Sequence, residues 1–353
     1  LQILHNEQGK LPKGTARDYP LFPNRGFMLD VARKFFTMDY LKQYVKILSF
    51  YKMNEFQIHL NDNGFPQFFG DDWNRTYAAF RLESERFPGL TAKDGSYSKQ
   101  EFIDLQRMGL EYGVRIIPEI DIPAHSLAFA HYKPEIASRK YGMDHLDLYK
   151  KETYQFVDSL LDEYLSGDNP VFIGDLHIGT DEYNKKEAEQ YRYFTDRYLK
   201  FVEKYGKNVR MWGGLKWLPG KTPVKAEGVT VNAWSYDWVD PVVSLQDGYK
   251  LINTCDTYLY IVPAAGYYRD FLDHQWIYEK WSPWIMNRKQ TLPEGTPGVL
   301  GGMFAVWNDK CGNGISEQDV HLRSFPAMQV LAEKLWKGEN KNVTYEAFAK
   351  LCK

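Results

Sequence analysis

The chain has 353 residues, of which 44% are hydrophobic and 25% charged, and its formal net charge is -2 at pH 7. This composition is that of a globular protein, and the charge gives no electrostatic reason to expect nucleic acid or an anionic membrane as a partner. No apolar run approaches the roughly 20 residues of a membrane span, and three scattered cysteines are too few for a disulfide framework or a metal cluster.

Short apolar runs alternate with helical patterns along the chain, which favours parallel βαβ units. We predict strands at residues 25–31, 55–60, 115–120, 171–178, 209–212, 229–234, 250–254 and 298–307. Helical periodicity fills most of the gaps, at residues 39–51, 99–112, 152–165, 185–205 and 318–335. Residues 61–98 are rich in Gly, Pro, Asp and aromatics and are typical of a long loop. Eight strands alternating with helices predict a (β/α)8 barrel, with its active site at the carboxyl ends of the strands.

Polar and aromatic residues follow most of the predicted strand ends, where a barrel would bring them together. They are Asp62, His125, Asp181, Glu182, Trp212, Trp234, Tyr258, Trp307 and Asp309. Indole rings combined with carboxylates are typical of a sugar site, because the rings stack on C–H faces and the carboxylates accept hydroxyl hydrogens. The adjacent acids at 181–182 are a candidate acid/base pair, and taken alone they are equally well explained as the cap of a helix starting near residue 185.

Five segments resemble, in the same order, the catalytic domain of family 20 glycoside hydrolases, the β-N-acetylhexosaminidases. They are residues 25–33 (RGFMLDVAR), 52–62 (KMNEFQIHLND), 117–125 (IPEIDIPAH), 177–182 (HIGTDE) and 307–309 (WND). Each is a modest signal, but five in the family's order are very specific. The resemblance implies a (β/α)8 catalytic domain at residues 21–353, preceded at residues 1–20 by a remnant or linker of the small α/β domain that usually comes before this barrel.

The resemblance also implies a reaction, the removal of terminal β-linked GlcNAc or GalNAc with retention. In this family the nucleophile is the substrate's own 2-acetamido oxygen rather than an enzyme carboxylate. By resemblance, Glu182 is the general acid and then the general base. Asp181 holds the acetamide N–H and stabilises the oxazolinium charge. No metal or cofactor is implied.

Further roles follow from the same resemblance. His125 is similar to the histidine that links Asp62 to the acid/base glutamate. Arg25 is similar to the arginine that binds the sugar hydroxyls O3 and O4, a task that suits its fixed donor fork. Its alternative role is an ion pair at the barrel floor with Asp30 or another acid.

Aromatic residues at the strand ends complete the implied site. Tyr258 resembles the tyrosine that donates to the acetamide carbonyl. Trp212, Trp234 and Trp307 would wall the acetamide and the sugar ring; each alone is better explained by core packing, but the set at strand ends favours binding.

Several positions depart from the commoner family pattern. They are Asn63 and Asp309, which stand in place of Asp and Glu, and Thr180 and Tyr260, which stand in place of Gly and Asp. Together with Gln57 and residues 77–83, these features resemble the lacto-N-biosidase branch, which releases the disaccharide Galβ1-3GlcNAc. Release of this disaccharide is therefore the alternative to release of a monosaccharide.

Two other classes of protein stay open from the sequence. A metal-dependent hydrolase could use His177, Asp181 and His125, although these histidines lack a compact ligand motif. A lectin-like relative could keep the aromatic walls without the chemistry. We expect a glycan or glycoconjugate as partner and an extracellular, cell-surface or periplasmic location, as for other glycan-degrading enzymes, and the sequence does not predict an oligomeric state.

Overall fold

The computed structural model describes residues 9–10, 13–15, 17–340 and 342–352. Residues 1–8, 11–12 and 16 of the predicted remnant or linker at residues 1–20 lie outside the described residues. None of the helices in the described ranges combines the length and the apolar character needed to cross a membrane.

Within these ranges, eight parallel strands close into a barrel in chain order. They are β1 (Asn24–Asp30), β2 (Glu55–His59), β3 (Arg115–Ile122), β4 (Leu176–Gly179), β5 (Val209–Trp212), β6 (Val229–Ala233), β7 (Lys250–Asn253) and β8 (Val299–Val306). The barrel closes where β1 pairs with β8, with Asn24 opposite Gly301. A two-residue strand, Tyr260–Ile261, adds to the carboxyl end of β8. The predicted (β/α)8 fold is confirmed.

The described residues form ten α-helices. They are α1 (Met38–Phe50), α2 (Lys99–Glu111), α3 (Leu127–Tyr132), α4 (Lys151–Leu165), α5 (Ala188–Glu203), α6 (Pro241–Gln246), α7 (Asp256–Leu259), α8 (His274–Glu279), α9 (Glu317–Lys337) and α10 (Tyr345–Leu351). The five predicted helices correspond to α1, α2, α4, α5 and α9. Capping boxes fix the start of α2, through Ser98 and Glu101, and of α9, through Ser316 and Asp319.

The fourth strand is shorter than predicted, because it begins at Leu176 rather than at Val171. Val171 and Phe172 are buried in the core without entering the barrel ladder. The backbone N–H of Phe172 donates instead to the carbonyl oxygen of Tyr164, at 3.0 Å. An apolar run signals burial, and here burial and strand pairing do not coincide.

Two short hairpins rise from the carboxyl face of the barrel. The first pairs Asn61–Asn63 with Ala78–Phe80, inside the predicted long loop. The second pairs Ala137–Ser138 with Gly142–Leu146, between β3 and α4, and we refer to residues 137–146 as the 137–146 hairpin. Both lie after strand ends, where loops carry function in this fold.

The barrel interior is polar at two levels beneath this face. Near the amino ends of the strands, the guanidinium of Arg210 donates to both carboxylate oxygens of Glu55, at 2.6 and 2.8 Å. One level higher, the buried carboxylate of Glu119 accepts from Gln57 at 2.7 Å and from Trp212 at 2.6 Å. Strand alternation turns Glu55 and Gln57 to the same side, so these polar side chains support the carboxyl-face site from below.

Candidate active site

The acid pair lies directly after β4. Asp181 is 8% exposed, whereas the side chain of Glu182 is 50% exposed. The backbone φ angles of Thr180 and Glu182 are +77° and +51°, and that of His125 is +52°. Non-glycine residues in this region cost on the order of 1–3 kcal/mol each and persist where their surroundings hold them. Strain of this kind, concentrated on one cluster, is typical of a functional site.

The pair does not cap the following helix. The short 3-10 turn Lys185–Glu187 is capped by the side chain of Asn184, which accepts from the backbone N–H of Lys186 at 3.0 Å. The helix-cap explanation of Asp181 and Glu182 is therefore wrong.

His125 connects three carboxylates. Its Nδ1 lies 2.9 Å from Oδ1 of Asp62, and its Nε2 lies 3.2 Å from Oε2 of Glu182 and 3.7 Å from Oδ2 of Asp181. Burial opposes a charge on the imidazole, but the nearby charges of Asp62 and Asp181 outweigh it and raise the pKa of His125 well above its ordinary value. The structure brings these four predicted residues together.

Glu182 shows the opposite shift. Burial would raise its pKa, but the hydrogen bond and charge of His125 prevail, so the pKa of Glu182 is lowered from its ordinary value. The two shifts favour the proton on His125 and the negative charge on Glu182.

Asp181 sits in a less favourable environment for a carboxylate. Burial is the main cause that raises its pKa to about 6, and the charge of Glu182 adds to it, while His125 opposes the shift. Beneath it, burial and the charge of Asp181 raise the pKa of Asp121 well above its ordinary value. Above a pH of about 6, Asp181 is therefore ionised, next to a carboxyl whose own pKa is raised.

Arg33 is a site residue that our sequence analysis did not single out. Its Nη1 lies 2.8 Å from Asp62, 3.2 Å from Asp30 and 3.4 Å from Asp309. These carboxylates overcome the effect of burial and raise the pKa of Arg33 well above its ordinary value. The guanidinium also lies 5.8 Å from the ring of Trp307. The available signal was its place three residues beyond Asp30, the last residue of β1.

Arg25 is not brought to this cluster. It is the second residue of β1, at the amino end of the barrel, where its Nε donates to Lys52 O and its Nη1 to Phe22 O, both at 2.7 Å. Its guanidinium lies 5.1 Å from the ring of Trp336. The predicted contact of Arg25 with sugar hydroxyls disagrees with this placement. The alternative, an ion pair at the barrel floor with Asp30 or another acid, agrees in position, and the nearby acid is Glu55, whose charge acts on Arg25 without a direct ion pair among the described residues. A seven-residue strand separates its two ends by roughly 20 Å.

Tyr258 is also placed away from the cluster. It lies in α7, where its ring stacks on Trp276 with centroids 4.5 Å apart. Two residues later, the buried ring of Tyr260 lies 5.8 Å from that of Trp307. Burial and neighbouring charges that include Asp181 raise the pKa of Tyr260. The sequence predicted Tyr258 for this role and noted Tyr260 only as a departure in place of Asp, whereas the structure places Tyr260 next to Trp307.

The three predicted tryptophans occupy different depths. Trp307 lies at the centre, 4.9 Å from His59 and 5.6 Å from Trp212. Trp212 is fully buried, and its indole N–H donates to the carboxylate of Glu119. Trp234 donates its N–H to Gly213 O at 2.8 Å, and its ring stacks on Trp238 at 5.5 Å, so it forms the edge of the site next to β5 and β6.

Gln57 lies beneath the site rather than on its surface. It is fully buried and donates to Glu119, which in turn lies 3.0 Å from Nδ1 of His59. Despite burial, the charges of His59 and His177 lower the pKa of Glu119 to about 2. Gln57 therefore acts on the site through Glu119.

The histidine set of the metal-hydrolase alternative is divided. His177 faces Glu119, with Nδ1 3.5 Å from Oε1, and burial lowers its pKa to about 4. Within the described ranges, the group of close ligand atoms around the acid pair consists of Asp121, His125 and Asp181, all within 4.8 Å of one another. The alternative set that includes His177 does not form one centre.

The profile described as "Glycosyl hydrolase family 20, catalytic domain" matches residues 22–339, so the chain belongs to this family. Beta-hexosaminidase subunit B2 of Dictyostelium discoideum is 27% identical over 95% of this chain and 60% of its own length. A beta-hexosaminidase of Akkermansia muciniphila is 28% identical over 64% of this chain and 50% of its own length. The chain thus spans about three fifths of the length of the first relative and half of the length of the second.

Solved structures share the fold. A β-N-acetylhexosaminidase from Bacteroides fragilis superposes with a TM-score of 0.74 at 21% identity, covering 95% of this chain and 70% of that one. A GH20 β-N-acetylhexosaminidase from Streptomyces coelicolor superposes with a TM-score of 0.73 at 22% identity, covering 94% and 68%. At these identities the likeness supports the barrel architecture.

Proposed function

We propose that this chain is a retaining exo-glycosidase that removes terminal β-linked N-acetylhexosamine through substrate-assisted catalysis. The observation that carries the proposal is the placement of both acids on one imidazole nitrogen, with Glu182 at 3.2 Å and Asp181 at 3.7 Å from Nε2 of His125. The names of the relatives, which are beta-hexosaminidases, support the same activity.

Glu182 has the position of the proton donor. Its carboxyl is half exposed, so a leaving oxygen can reach it, and the raised pKa of its neighbour His125 favours a proton on that imidazole. Transfer of that proton to Glu182 readies the acid. The acetamide oxygen then attacks C1, the bond from C1 to the leaving oxygen breaks, and that oxygen takes the proton. In the second step Glu182 removes a proton from water as the water oxygen bonds to C1, and the bond from C1 to the acetamide oxygen breaks, which restores the acetamide.

Asp181 has the position and charge to support the nucleophile. It is buried next to Glu182, and above its pKa of about 6 it is anionic. An anionic oxygen accepts the acetamide N–H and offsets positive charge that develops in the oxazolinium ring. Such interactions in a water-poor site are worth more than in bulk solvent, and holding a nucleophile near its target can supply roughly 7–11 kcal/mol at best.

Arg33, Asp309 and Trp307 are assigned to the sugar ring. Among the described residues none accepts from Nη2 of Arg33, whose Nη1 is held by carboxylates, so Nη2 is available for sugar hydroxyls. The carboxylate of Asp309, which lies next to the Arg33 guanidinium, is an acceptor for the same hydroxyls, and Asp309 is 8% exposed. The face of Trp307 supplies the apolar surface against which C–H groups pack.

Contacts on the Asp309 side favour a pocket for one sugar unit. The hydroxyl of Tyr267 donates to Oδ2 of Asp309 at 2.9 Å. Next to it, Nζ of Lys310 lies 3.8 Å from the centre of the Phe68 ring and 5.6 Å from that of Tyr267. Lys310 thus contacts both the loop that carries Phe68 and the loop that carries Tyr267, next to Asp309.

One observation favours the disaccharide alternative. A cavity of about 480 Å³ is lined among others by Arg33, Asn308, Phe69 and Tyr77. We assign an additional sugar beyond O3 to this cavity, because Arg33, the residue assigned to the sugar hydroxyls, is part of its lining. Release of Galβ1-3GlcNAc is therefore the second candidate function.

The test is hydrolysis of two chromogenic substrates, aryl β-GlcNAc and aryl β-lacto-N-bioside. Wild type is compared with Glu182→Gln and with Glu152→Gln, a matched change at an exposed residue at the start of α4. We expect turnover of the monosaccharide substrate by wild type and Glu152→Gln and near-complete loss in Glu182→Gln. Turnover of the disaccharide substrate alone would replace the first function with the second. Sugar binding without turnover would indicate a lectin-like protein, and loss of turnover on chelation would indicate a metal enzyme.

A further inference from the structure

The 137–146 hairpin is bonded to the loop that carries His125. The backbone N–H of Ser126 donates to Asp144 O at 2.9 Å, and the backbone N–H of Leu146 donates to Pro123 O at 2.8 Å. These two bonds lie on either side of His125 in the sequence. They fix the loop on which its left-handed backbone conformation depends.

The same hairpin is bonded to the segment that follows Glu182. The hydroxyl of Tyr183 donates to Leu146 O at 2.7 Å. Farther along, Glu187 accepts from the hydroxyl of Tyr141 at 2.5 Å and from Nζ of Lys140 at 2.9 Å. The hydroxyls of Tyr141 and Tyr149 are the main causes that lower the pKa of Glu187 to about 2, so this carboxylate stays ionised at neutral pH. The hairpin therefore spans the two loops that carry the acid and its histidine.

His145 makes the contact nearest to the acid. Its Nε2 lies 3.3 Å from the backbone carbonyl oxygen of Glu182, and its Nδ1 lies 2.8 Å from Oδ1 of Asp144. A carbonyl oxygen and a carboxylate both accept and neither donates, so both contacts are hydrogen bonds when each ring nitrogen carries a hydrogen. Asp144 fixes the plane of the ring from the other side, as carboxylates commonly do for functional histidines.

We propose that Asp144 and His145 are positioning residues for the acid/base step. This inference rests on the proposed role of Glu182. The bond from His145 holds the Glu182 carbonyl while its φ stays at +51°, a conformation that relaxes when it is not held. Relaxation turns the Glu182 side chain away from His125, to which it lies at 3.2 Å. Since a misplacement of 1 Å can cost about 10²-fold in rate, loss of this bond affects turnover more than binding.

The test compares His145→Ala, His145→Gln and Asp144→Asn with His131→Ala. His131 is a matched control, because it is an exposed histidine on α3 whose Nε2 contacts the Trp73 carbonyl oxygen at 2.8 Å, away from the acid pair. We expect His145→Ala to lower kcat on aryl β-GlcNAc about 10–100-fold with little change in KM. His145→Gln should recover most of kcat, because its side-chain N–H can replace the Nε2 donor. His131→Ala should match wild type.

A crystal structure of His145→Ala provides a readout that does not depend on activity. The inference predicts that the Glu182 backbone leaves the left-handed region and that its carboxylate moves away from Nε2 of His125. An unchanged Glu182 geometry, or a kcat equal to wild type, would overturn the inference while leaving the proposed function intact. An inactive wild type would reject the proposed function, and the crystal structure would still decide whether His145 positions Glu182. Equal losses of kcat in the Ala and Gln variants would also contradict the proposed donor role.

Discussion

Nε2 of His125 lies 3.2 Å from Oε2 of Glu182, while Nδ1 of the same ring is held at 2.9 Å by Asp62. Asp62 is itself bound at 2.8 Å by the buried guanidinium of Arg33. The charge state of the half-exposed acid is therefore set by a buried row of alternating charges. Its consequences are measurable at each member.

Replacing His125 by Asn removes the cation that lowers the pKa of Glu182. The pKa of Glu182 should rise above its value in wild type, and kcat should fall about 10²–10⁴-fold, the range for losing general acid–base assistance. The pH dependence of kcat for the two proteins measures both effects. An unshifted profile with a normal kcat would show that His125 does not tune the acid.

Asp181 should impose an acid limit on activity. Its pKa is raised to about 6, so kcat/KM should decline as the pH falls through about 6 and the carboxylate becomes neutral. A profile of kcat/KM between pH 4 and 8 tests this. Activity that holds constant down to pH 4 would contradict the assignment of Asp181 as the ionised partner of the acetamide.

The same shift predicts that Asp181→Asn stabilises the fold while it abolishes turnover. A folded-state pKa of about 6, above the ordinary 3.8, means that stability is greatest below the unfolded-state pKa and is lost as the pH rises through about 6. The uncharged Asn avoids this loss, so above pH 6 the variant should be more stable by on the order of 1–3 kcal/mol. Urea unfolding at pH 5 and pH 8 measures the difference, which should be larger at pH 8. A less stable variant at pH 8 would contradict the sign.

A comparison of variants at Arg33 and Arg25 tests which of the two arginines binds the sugar hydroxyls. Arg33→Lys should raise KM and lower kcat/KM by roughly 10–100-fold, because a point charge cannot reproduce the donor fork. Arg25→Lys should leave both constants near wild type, since its partners are backbone carbonyls at the opposite end of β1. Steady-state kinetics distinguish the two. The reverse pattern would restore Arg25 to the site.

Tyr260 and Tyr258 form a second pair. Tyr260→Phe should lower kcat/KM roughly 10-fold or more, the cost of one lost hydrogen bond in a buried site, whereas Tyr258→Phe should have no effect because its ring packs on Trp276. Thermal melting of both variants checks that the fold is kept. A loss confined to Tyr258→Phe would support the prediction from the sequence instead.

The sequence predicted the barrel, its eight strands and the grouping of Asp62, His125, Asp181 and Glu182, because alternating apolar periods and strand-end motifs are local signals. It misplaced Arg25 and Tyr258, since a motif that contains two arginines or two tyrosines does not say which member lies beyond the strand end. That distinction depends on where β1 and α7 end in the folded chain. The end of a strand such as β1 is set by its pairing with the neighbouring strands.

The contacts of His145 could not be predicted either. His145 lies 20 residues from His125 and 37 from Glu182 in the sequence, and the 137–146 hairpin brings it to both loops only in the folded chain. The departure at Thr180 has a visible consequence, since its φ of +77° is one that glycine adopts more readily. Tyr191 donates to the carbonyl oxygen of Thr180 and helps to hold it in that conformation.

The most direct test of the account is the rate at which the purified chain hydrolyses aryl β-glycosides whose N-acetyl group carries zero, one, two or three fluorines. Fluorine withdraws electrons from the acetamide oxygen, so kcat/KM should fall with each added fluorine if that oxygen attacks C1. Glu182→Gln should be slow across the whole series. Rates that do not depend on fluorine, with Glu182 still required, would show that the acetamide is not the nucleophile and would contradict the role given to Asp181.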